Sequence, residues 1–205
     1  MSIVIVDYDA GNLRSVQKAF EHVGASALVT REAEAVASAP ALVLPGVGAF
    51  PECMLNLRRF GLLGAVKDFI ASGRPFLGIC VGFQLLFDES EEFGKSEGLG
   101  VLKGKCIKFR PPLTRRYKIP HMGWNQVEYK NKGKLFEGIE DGSDFYFVHS
   151  YYPCPQEEII VGETEYGERF ASSVETGNIF GTQFHPEKSQ GVGLKVLENF
   201  SSIAG

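Results

Sequence analysis

The chain has 205 residues, of which 44% are hydrophobic and 22% are charged, so a disordered chain or a coiled coil is excluded. Its 21 basic and 25 acidic side chains give a formal net charge of -4, which argues against nucleic-acid binding through overall positive charge. No apolar run reaches the roughly 18 residues that span a bilayer, and the first residues lack the basic segment of a signal peptide. We therefore expect a cytoplasmic protein that contacts neither membrane nor nucleic acid.

The first half of the chain alternates short buried strands with amphipathic helices. Strands are predicted from β-branched and aliphatic runs, and helices from apolar residues at helical spacing. The predicted order is strand 3–6, helix 13–23, strand 27–30, helix 32–38, strand 41–44, helix 62–70 and strand 76–79. Asn12 is placed to cap the first helix. This alternation is typical of a doubly wound parallel sheet.

The second half of the chain has a different pattern, in which a glycine-rich segment at 94–104 is followed by several short strands and one helix. The predicted strands are 101–109, 126–129, 145–149, 159–164, 170–175 and 179–184, and the helix is 194–203. No linker or repeat divides the halves. We predict an α/β fold in which a mostly parallel central sheet, flanked by helices, carries an added antiparallel portion within one domain over residues 1–205.

Two charged stretches need an interpretation. The acidic stretch, residues 88–92, is interpreted as a solvated turn or helix end. The basic stretch, residues 103–118, carries no acid among its basic side chains, which are Lys103, Lys105, Lys108, Arg110, Arg115, Arg116 and Lys118. It is either an exposed strand and loop or a docking surface for an acidic partner or an anionic ligand, and both hypotheses remain open.

One of the four cysteines, Cys80, has neighbours that suggest a chemical role. It lies between a buried strand and a helix in the sequence Gly78-Ile79-Cys80-Val81-Gly82, the thiol version of a nucleophile elbow. Residues two before and two after such a nucleophile crowd each other, and both are glycine here. The helix N-terminus favours the thiolate, which is the reactive form. Cys80 is therefore the candidate nucleophile, with a buried core cysteine as the alternative.

A thiol nucleophile needs a base, and the chain has four histidines. His22 falls among charged residues on the first predicted helix, which indicates a surface position. His121 and His149 fall near strand ends and are possible bases. His185 directly follows the last predicted strand, and Pro186 constrains the chain beyond it.

An acid near His185 distinguishes it from the other histidines. Glu187 lies two residues later, and in an extended segment positions i and i+2 project to the same side, so its carboxylate can reach the imidazole. We predict a triad of Cys80, His185 and Glu187, in the chain order that elbow enzymes on α/β sheets use. The motif His-Pro-Glu is weak evidence alone and becomes strong evidence beside the elbow.

The strand at 41–44 ends in the turn Pro45-Gly46-Val47-Gly48, whose glycines allow the backbone to present N–H groups at close range. An amide of Val47 or Gly48, together with that of Val81, would bind the oxygen of a tetrahedral intermediate. A plain Pro-Gly turn is the alternative. A phosphate loop is excluded because the ending G-K-[ST] is missing.

Six segments resemble class I glutamine amidotransferases and, within them, the glutaminase subunits of imidazole glycerol phosphate synthases. They are DYDAGNLRSV at 7–16, LPGVGAF at 44–50, GICVGFQLLF at 78–87, PHMGWN at 120–125, FVHSYY at 147–152 and QFHPEKS at 183–189. GICVGFQ and FHPE are common to the class, whereas PGVGAF, PHMGWN and GNLRSV are typical of the subunit. Phe83 stands where the family pattern has Met, an apolar change that such a position tolerates.

The resemblance implies hydrolysis of L-glutamine to glutamate and ammonia. Cys80 would attack the side-chain carbonyl to form a thioester, His185 would protonate the departing ammonia and then activate water, and Glu187 would orient His185. The implied oxyanion hole is formed by Val47, Gly48 and Val81, after a peptide flip of the turn. The implied glutamine-binding residues are Gly48, Gln84, Ser150 and Tyr151.

The resemblance also implies a partner, a separate (β/α)8 cyclase subunit that forms a heterodimer with this chain and uses the ammonia to make imidazole glycerol phosphate in histidine biosynthesis. Because free ammonia would be wasted, the chemistry also favours a partner. We expect no metal, no cofactor and little glutaminase activity without the partner, a coupling of two sites. The implied partner-facing residues are Asn12, His121, Met122, Gly123, Trp124, Asn125 and Lys188.

Three alternatives remain. The same glutaminase chemistry could serve a paralogous acceptor enzyme, which the triad cannot distinguish. A cysteine peptidase or thiol hydrolase on the same fold would need a wide open groove instead of a glutamine-sized pocket. A binding module with a degenerate elbow would form no thioester, but such modules usually lose a member of the triad.

Overall fold

A computed structural model describes residues 2–110 and 117–205, and its first half alternates strands with helices, as predicted. The elements of this half are β1 (Ser2–Val6), α1 (Leu13–His22), β2 (Ser26–Thr30), α2 (Ala33–Ser38), β3 (Ala41–Gly46), α3 (Phe50–Arg59), α4 (Leu62–Ala71), β4 (Phe76–Cys80) and α5 (Val81–Gln84). Helix α3 is not among the predicted elements, although its buried face has helical spacing. Asn12 occupies the N-cap position of α1, but its side chain makes no capping hydrogen bond.

The second half consists of short strands and the C-terminal helix. Its elements are β5 (Phe87–Ser90), β6 (Ser96–Glu97), β7 (Leu102–Lys108), β8 (His121–Tyr129), β9 (Ser143–His149), β10 (Tyr151–Pro155), β11 (Ile160–Glu165), β12 (Arg169–Thr176), β13 (Ile179–Thr182) and α6 (Gln190–Ala204). Strands β5, β6 and β10 are not among the predicted elements. No helix of the described residues is both long enough and apolar enough to cross a membrane.

The strands of the described residues form two sheets. The larger has the order β2-β1-β3-β4-β13-β12-β11-β8-β9, and the smaller has the order β10-β7-β5-β6. The pairs from β2 through β13 are parallel, and those from β13 to β9 are antiparallel. The predicted fold class, a parallel core with an added antiparallel portion, is therefore confirmed.

The parallel core is a rigid platform because it is covered on both faces. Every residue of β3 and β4 is buried, as are Ile3–Val6 of β1. Each fully buried aliphatic side chain contributes roughly 1.5–3 kcal/mol to stability. In register, Gly46 at the end of β3 lies beside Cys80 at the end of β4, and β13 pairs with the other side of β4. The loops that follow these three strands therefore meet at one edge of the sheet.

The acidic stretch and the basic stretch lie against each other in the smaller sheet. The acidic stretch forms most of β5 and its continuation, so its interpretation as a solvated turn or helix end is wrong. Lys103 pairs with Asp88 at 3.2 Å, and Arg110 lies 3.4 Å from Glu91. These ion pairs favour the exposed-strand interpretation for the described part of the basic stretch. Outside the described residues lie Arg115 and Arg116.

Candidate active site

Cys80 occupies a strained turn between β4 and α5. Its backbone has φ 55° and ψ -111°, a conformation that costs a non-glycine residue about 1–3 kcal/mol. A Cβ at Gly78 would come within 2.8 Å of the Gly82 carbonyl oxygen, and one at Gly82 would overlap the Leu44 carbonyl of β3. The requirement for two small residues is therefore confirmed, and the neighbouring strand imposes part of it.

His185 and Glu187 form a buried pair between β13 and α6, where Pro186–Lys188 form a 3₁₀ turn instead of the extended segment expected from the sequence. The Nδ1 atom of His185 lies 2.8 Å from Oε1 of Glu187, and the two side chains are 2% and 1% exposed. The Nε2 atom of His185 has no hydrogen-bond partner among the described residues. Burial lowers the pKa of His185, but the adjacent Cys80 and Glu187 outweigh it and raise the pKa to about 10. The site therefore favours a protonated imidazole beside the Cys80 sulfur.

A cavity of about 230 Å³ opens above Cys80. The structure brings together around it all the residues proposed from sequence for the nucleophile, base, oxyanion hole and glutamine pocket, namely Val47, Gly48, Cys80, Val81, Gln84, Ser150, Tyr151 and His185. Glu187 does not line the cavity and instead contacts the far side of the His185 ring. The remaining lining includes Glu92, Pro120, Val148 and His149.

Glu92 is a site residue that sequence reasoning missed. Its Oε2 atom accepts the Phe50 N–H at 2.8 Å, and the side chain is partly buried at the cavity. Burial raises the pKa of this carboxyl group, although the Phe50 amide opposes the rise. A carboxylate at this place can bind an ammonium group of a ligand. No sequence pattern distinguishes Glu92 from the other acidic residues of the acidic stretch.

Two further residues missed from sequence hold the turn after β3. The Tyr8 hydroxyl donates to the Pro45 carbonyl at 2.6 Å, and the Cys53 thiol lies 3.7 Å from the Val47 carbonyl. A Cβ at Gly46 would lie 2.7 Å from the Tyr8 hydroxyl oxygen, so the turn passes close over this side chain. Val47 is 40% exposed at the cavity mouth.

Gln84 connects the cavity wall to the nucleophile. Its Nε2 atom donates to the Tyr151 carbonyl at 2.9 Å and to Oε1 of Gln183 at 3.1 Å. The Nε2 atom of Gln183 in turn lies 3.7 Å from the Cys80 sulfur. Phe83 packs over Gly181, where a Cβ would overlap its ring, so the Phe in place of Met is accommodated by a glycine on β13.

The other histidines have different positions. His22 is exposed, as expected. His121 and His149 are buried and hydrogen-bond to each other, so they contact neither the His185–Glu187 pair nor the Cys80 sulfur by a hydrogen bond. The His121 ring is only 2% exposed, and the partner-facing role of position 121 stays a prediction.

The remaining residues expected to face a partner are more accessible. Met122 and Trp124 project outward from β8 and are 62% and 48% exposed. Asn12 is exposed, and Gly123 and Lys188 are partly exposed. The Nζ atom of Lys188 lies 5.9 Å from the centre of the Tyr146 ring.

The chain is similar to known proteins along nearly its full length. Residues 4–203 match the family model of class I glutamine amidotransferases. The imidazole glycerol phosphate synthase subunit HisH of Syntrophotalea carbinolica is 50% identical over 205 residues, covering 98% of this chain and 100% of the relative. HisH of Aquifex aeolicus is 50% identical over 206 residues, covering 100% of this chain and 98% of the relative. PurLQS of Thermotoga maritima shares the fold with a TM-score of 0.71 at 20% identity, covering 97% of this chain and 96% of that one.

Proposed function

The chain belongs to the class I glutamine amidotransferase family, and from this premise we propose that it is the glutaminase subunit of an imidazole glycerol phosphate synthase. Relatives that carry this subunit name share half of their residues with it over essentially their whole length. The observation that carries the chemistry is the arrangement of Cys80, His185 and Glu187 at one cavity. The proposal treats residues 1–205 as one cytoplasmic glutamine amidotransferase domain.

In the proposed reaction, the Cys80 thiolate attacks the side-chain carbonyl carbon of glutamine. The C–N bond then breaks, and the leaving nitrogen takes the proton that His185 holds on Nε2, so that ammonia departs and a thioester remains. His185, now neutral, removes a proton from water, and the resulting hydroxide cleaves the thioester to glutamate. Glu187 holds Nδ1 of His185 throughout and keeps Nε2 directed at the reacting atoms.

The oxyanion formed on attack needs N–H donors. Val47, Gly48 and Val81 line the cavity beside Cys80, and their amides are the proposed donors. The loss of one such donor typically costs about 3 kcal/mol of transition-state stabilisation. The turn that carries two of these amides is held from below by Tyr8 and Cys53, which makes its conformation a determinant of activity.

The cavity fits a free amino acid better than a peptide. Its volume of about 230 Å³ is below the ~300 Å³ at which drug-sized pockets begin, and a peptidase needs an extended groove. Gly48, Gln84 and the Ser150–Tyr151 backbone would hold glutamine, and the Glu92 carboxylate would pair with its α-ammonium group. A peptide carries no ammonium group at an internal residue, so Glu92 also disfavours the peptidase alternative.

The proposed partner is a separate (β/α)8 cyclase subunit that receives the ammonia in a heterodimer. Pro120 lines the cavity, and the exposed apolar side chains of Met122 and Trp124 follow it on β8. A surface that combines large exposed apolar groups with the cavity entrance is suited to a protein that receives the product.

The experiment is glutamine hydrolysis by the purified chain, alone and with a cyclase subunit loaded with a substrate analogue. Strong activation by the loaded cyclase supports both the chemistry and the partner. Hydrolysis that ignores the cyclase would overturn the partner and favour a paralogous acceptor enzyme. An absence of hydrolysis in both cases would overturn the proposed chemistry.

A further inference from the structure

Two buried histidines outside the triad face each other on neighbouring strands. His121 of β8 and His149 of β9 are cross-strand partners, and they are 2% and 6% exposed. The Nδ1 atom of His121 lies 3.0 Å from Nε2 of His149. A hydrogen bond between two imidazoles requires one nitrogen to donate and the other to accept, so it has a direction.

The second hydrogen bond of His149 determines the direction. Nδ1 of His149 lies 2.9 Å from the carbonyl oxygen of Tyr151, and a carbonyl oxygen can only accept. His149 therefore carries a proton on Nδ1 and, when neutral, accepts at Nε2. It follows that His121 donates from Nδ1 and accepts at Nε2.

The second hydrogen bond of His121, which joins it to Asn125, determines the same direction independently. Nδ2 of Asn125 lies 3.2 Å from Nε2 of His121 and also donates to the Glu165 carbonyl at 2.9 Å. Its Oδ1 atom accepts the Gln126 N–H at 2.9 Å, so two backbone groups orient this amide. Asn125 therefore presents an N–H donor to His121. The hydrogen bonds run from Asn125 through His121 and His149 to Tyr151, and we call this series the histidine relay.

The histidine relay has no place for an additional proton. A second proton on either ring would place two N–H groups face to face somewhere along the relay. His121 stacks between Tyr166 and Phe147 at centroid distances of 4.0 and 4.9 Å, and these ring faces provide no hydrogen-bond acceptor for a second N–H. Burial lowers the pKa of His121 to about 4 and that of His149 to about 3, the latter also through His121 and His185. The hydrogen-bond geometry and these lowered pKa values together predict that both rings are neutral at pH 7.

The histidine relay ends at Tyr151, which lines the proposed glutamine pocket. The Tyr151 carbonyl that accepts from His149 also accepts from Gln84. Gln84 continues to Gln183, which contacts the Cys80 sulfur. The His149 ring therefore helps to orient the same peptide group that orients Gln84.

We infer that His121 and His149 are positioning residues for glutamine binding: the histidine relay holds the Tyr151 carbonyl, and with it the Gln84 amide, in the orientation that the pocket requires. The inference deepens the proposed function and rests on it. His121 does not line the cavity and acts through His149, Tyr151 and Gln84. His149 lines the cavity, but its two nitrogens are engaged by His121 and the Tyr151 carbonyl, so its hydrogen bonds act on the pocket through Tyr151.

The direction of the relay is tested by NMR of the ¹⁵N-histidine-labelled chain at pH 7. Both His121 and His149 are expected to be neutral, with the proton on Nδ1. Asn125→Asp replaces the donor by an acceptor of nearly the same shape, so Nε2 of His121 is expected to gain a proton. A charged ring, a proton on Nε2 of either histidine in the unmodified chain, or an unchanged His121 signal in Asn125→Asp would overturn the relay.

The role in binding is tested by the kinetics of His121→Phe in the complex with the cyclase subunit. The variant keeps an aromatic ring in the stack and removes both hydrogen bonds. The hydrogen bond from His149 to the Tyr151 carbonyl remains, but Nε2 of His149 loses its donor. Because the His149 ring is then held less firmly against the pocket wall, KM for glutamine is expected to rise about threefold to tenfold, with a smaller change in kcat. Tyr166→Phe is the matched control, since its hydroxyl bonds to Lys118 and not to the relay. Its KM is expected to remain unchanged.

The outcomes separate the inference from the proposed function. If His121 had only a structural role, the variant would lower the fraction of active protein and leave KM unchanged, and that result would overturn the inference. Asn125→Ala, which cuts the relay at its partly exposed end, supplies the same test should His121→Phe fail to fold. An unmodified complex that hydrolyses no glutamine would overturn the proposed function, while the NMR result would still decide the relay.

Discussion

The Tyr8 hydroxyl donates a 2.6 Å hydrogen bond to the Pro45 carbonyl, across 37 residues of sequence. Tyr8 is fully buried between the end of β1 and the turn after β3. The bond holds the turn that carries the proposed oxyanion amides, at a place where the adjacent Gly46 leaves no room for a side chain. A group outside the cavity lining thus supports the turn that is proposed to bind the transition state.

Tyr8→Phe should lower kcat for glutamine hydrolysis about threefold to tenfold and leave KM nearly unchanged. The oxyanion amides act in the transition state, so a less well held turn affects kcat first. The measurement is steady-state ammonia release. Tyr129→Phe is the matched control, because the buried Tyr129 hydroxyl has no hydrogen-bond partner among the described residues. Equal kcat values in the two variants would contradict the role of Tyr8.

Cys80→Ala should abolish glutamine hydrolysis, because no other thiol lines the cavity in the described residues. Partner binding should remain intact. No thioester should form, as mass spectrometry of the glutamine-treated protein would show. The variant Cys80→Gly should be equally inactive but up to about 1–3 kcal/mol more stable than Cys80→Ala, since glycine adopts φ 55° without strain. Residual hydrolysis by Cys80→Ala would refute the nucleophile.

Glu187→Gln should reduce activity less than His185→Ala and shift its pH dependence. The Glu187 carboxylate, together with Cys80, opposes the effect of burial and raises the pKa of His185 to about 10. Its removal lowers that pKa, so the imidazolium is lost at lower pH. The alkaline limb of the kcat/KM profile should therefore move toward neutral pH. An unmoved limb would argue that Glu187 does not control the protonation of His185.

Glu92→Gln should raise KM for glutamine about tenfold to a hundredfold, with little change in kcat. A hydrogen bond to a charged group contributes about 1.5–3 kcal/mol, and the amide keeps an acceptor for the Phe50 N–H. Glu89→Gln is the control, since Glu89 pairs with Lys95 instead of lining the cavity. Glutamate should inhibit Glu92→Gln more weakly than it inhibits the unmodified chain. An analogue of glutamate that lacks the α-amino group should inhibit the two proteins more nearly equally.

Acid should destabilise the fold through His121 and His149. Their folded pKa values, lowered to about 4 and about 3, lie below the ordinary value near 6.5, so the unfolded chain binds more protons. The contribution of the two neutral histidines to the free energy of unfolding is fully present above pH 6.5. It is lost as the pH falls toward 4. The raised pKa of His185 acts in the opposite direction and only above pH 6.5. Urea unfolding between pH 6.5 and 5 measures the loss, which His22→Asn should not change.

Local patterns were sufficient to predict the residues at the centre of the candidate site. The elbow at Cys80 follows from glycine spacing between a strand and a helix. The His185–Glu187 contact was expected from two residues on one side of an extended segment, whereas the structure makes it across a 3₁₀ turn. The failures have a physical reason as well. Helix α3 is missed although Pro51 in its first turn is a favourable helix start. The acidic stretch lies beside a basic strand that pairs with it, and no local pattern indicates that neighbour.

The sequence by itself predicted the fold class, which is confirmed, and the candidate nucleophile and base, because these depend on periodicity and on neighbours within a few residues. Only the tertiary structure showed that Glu92 reaches the cavity, that Tyr8 supports the oxyanion turn, and that His121 and His149 face each other. Each of those relationships joins strands or loops that are 28 to 42 residues apart in the chain. Such contacts are decided by strand order and register, which leave no local pattern in the sequence.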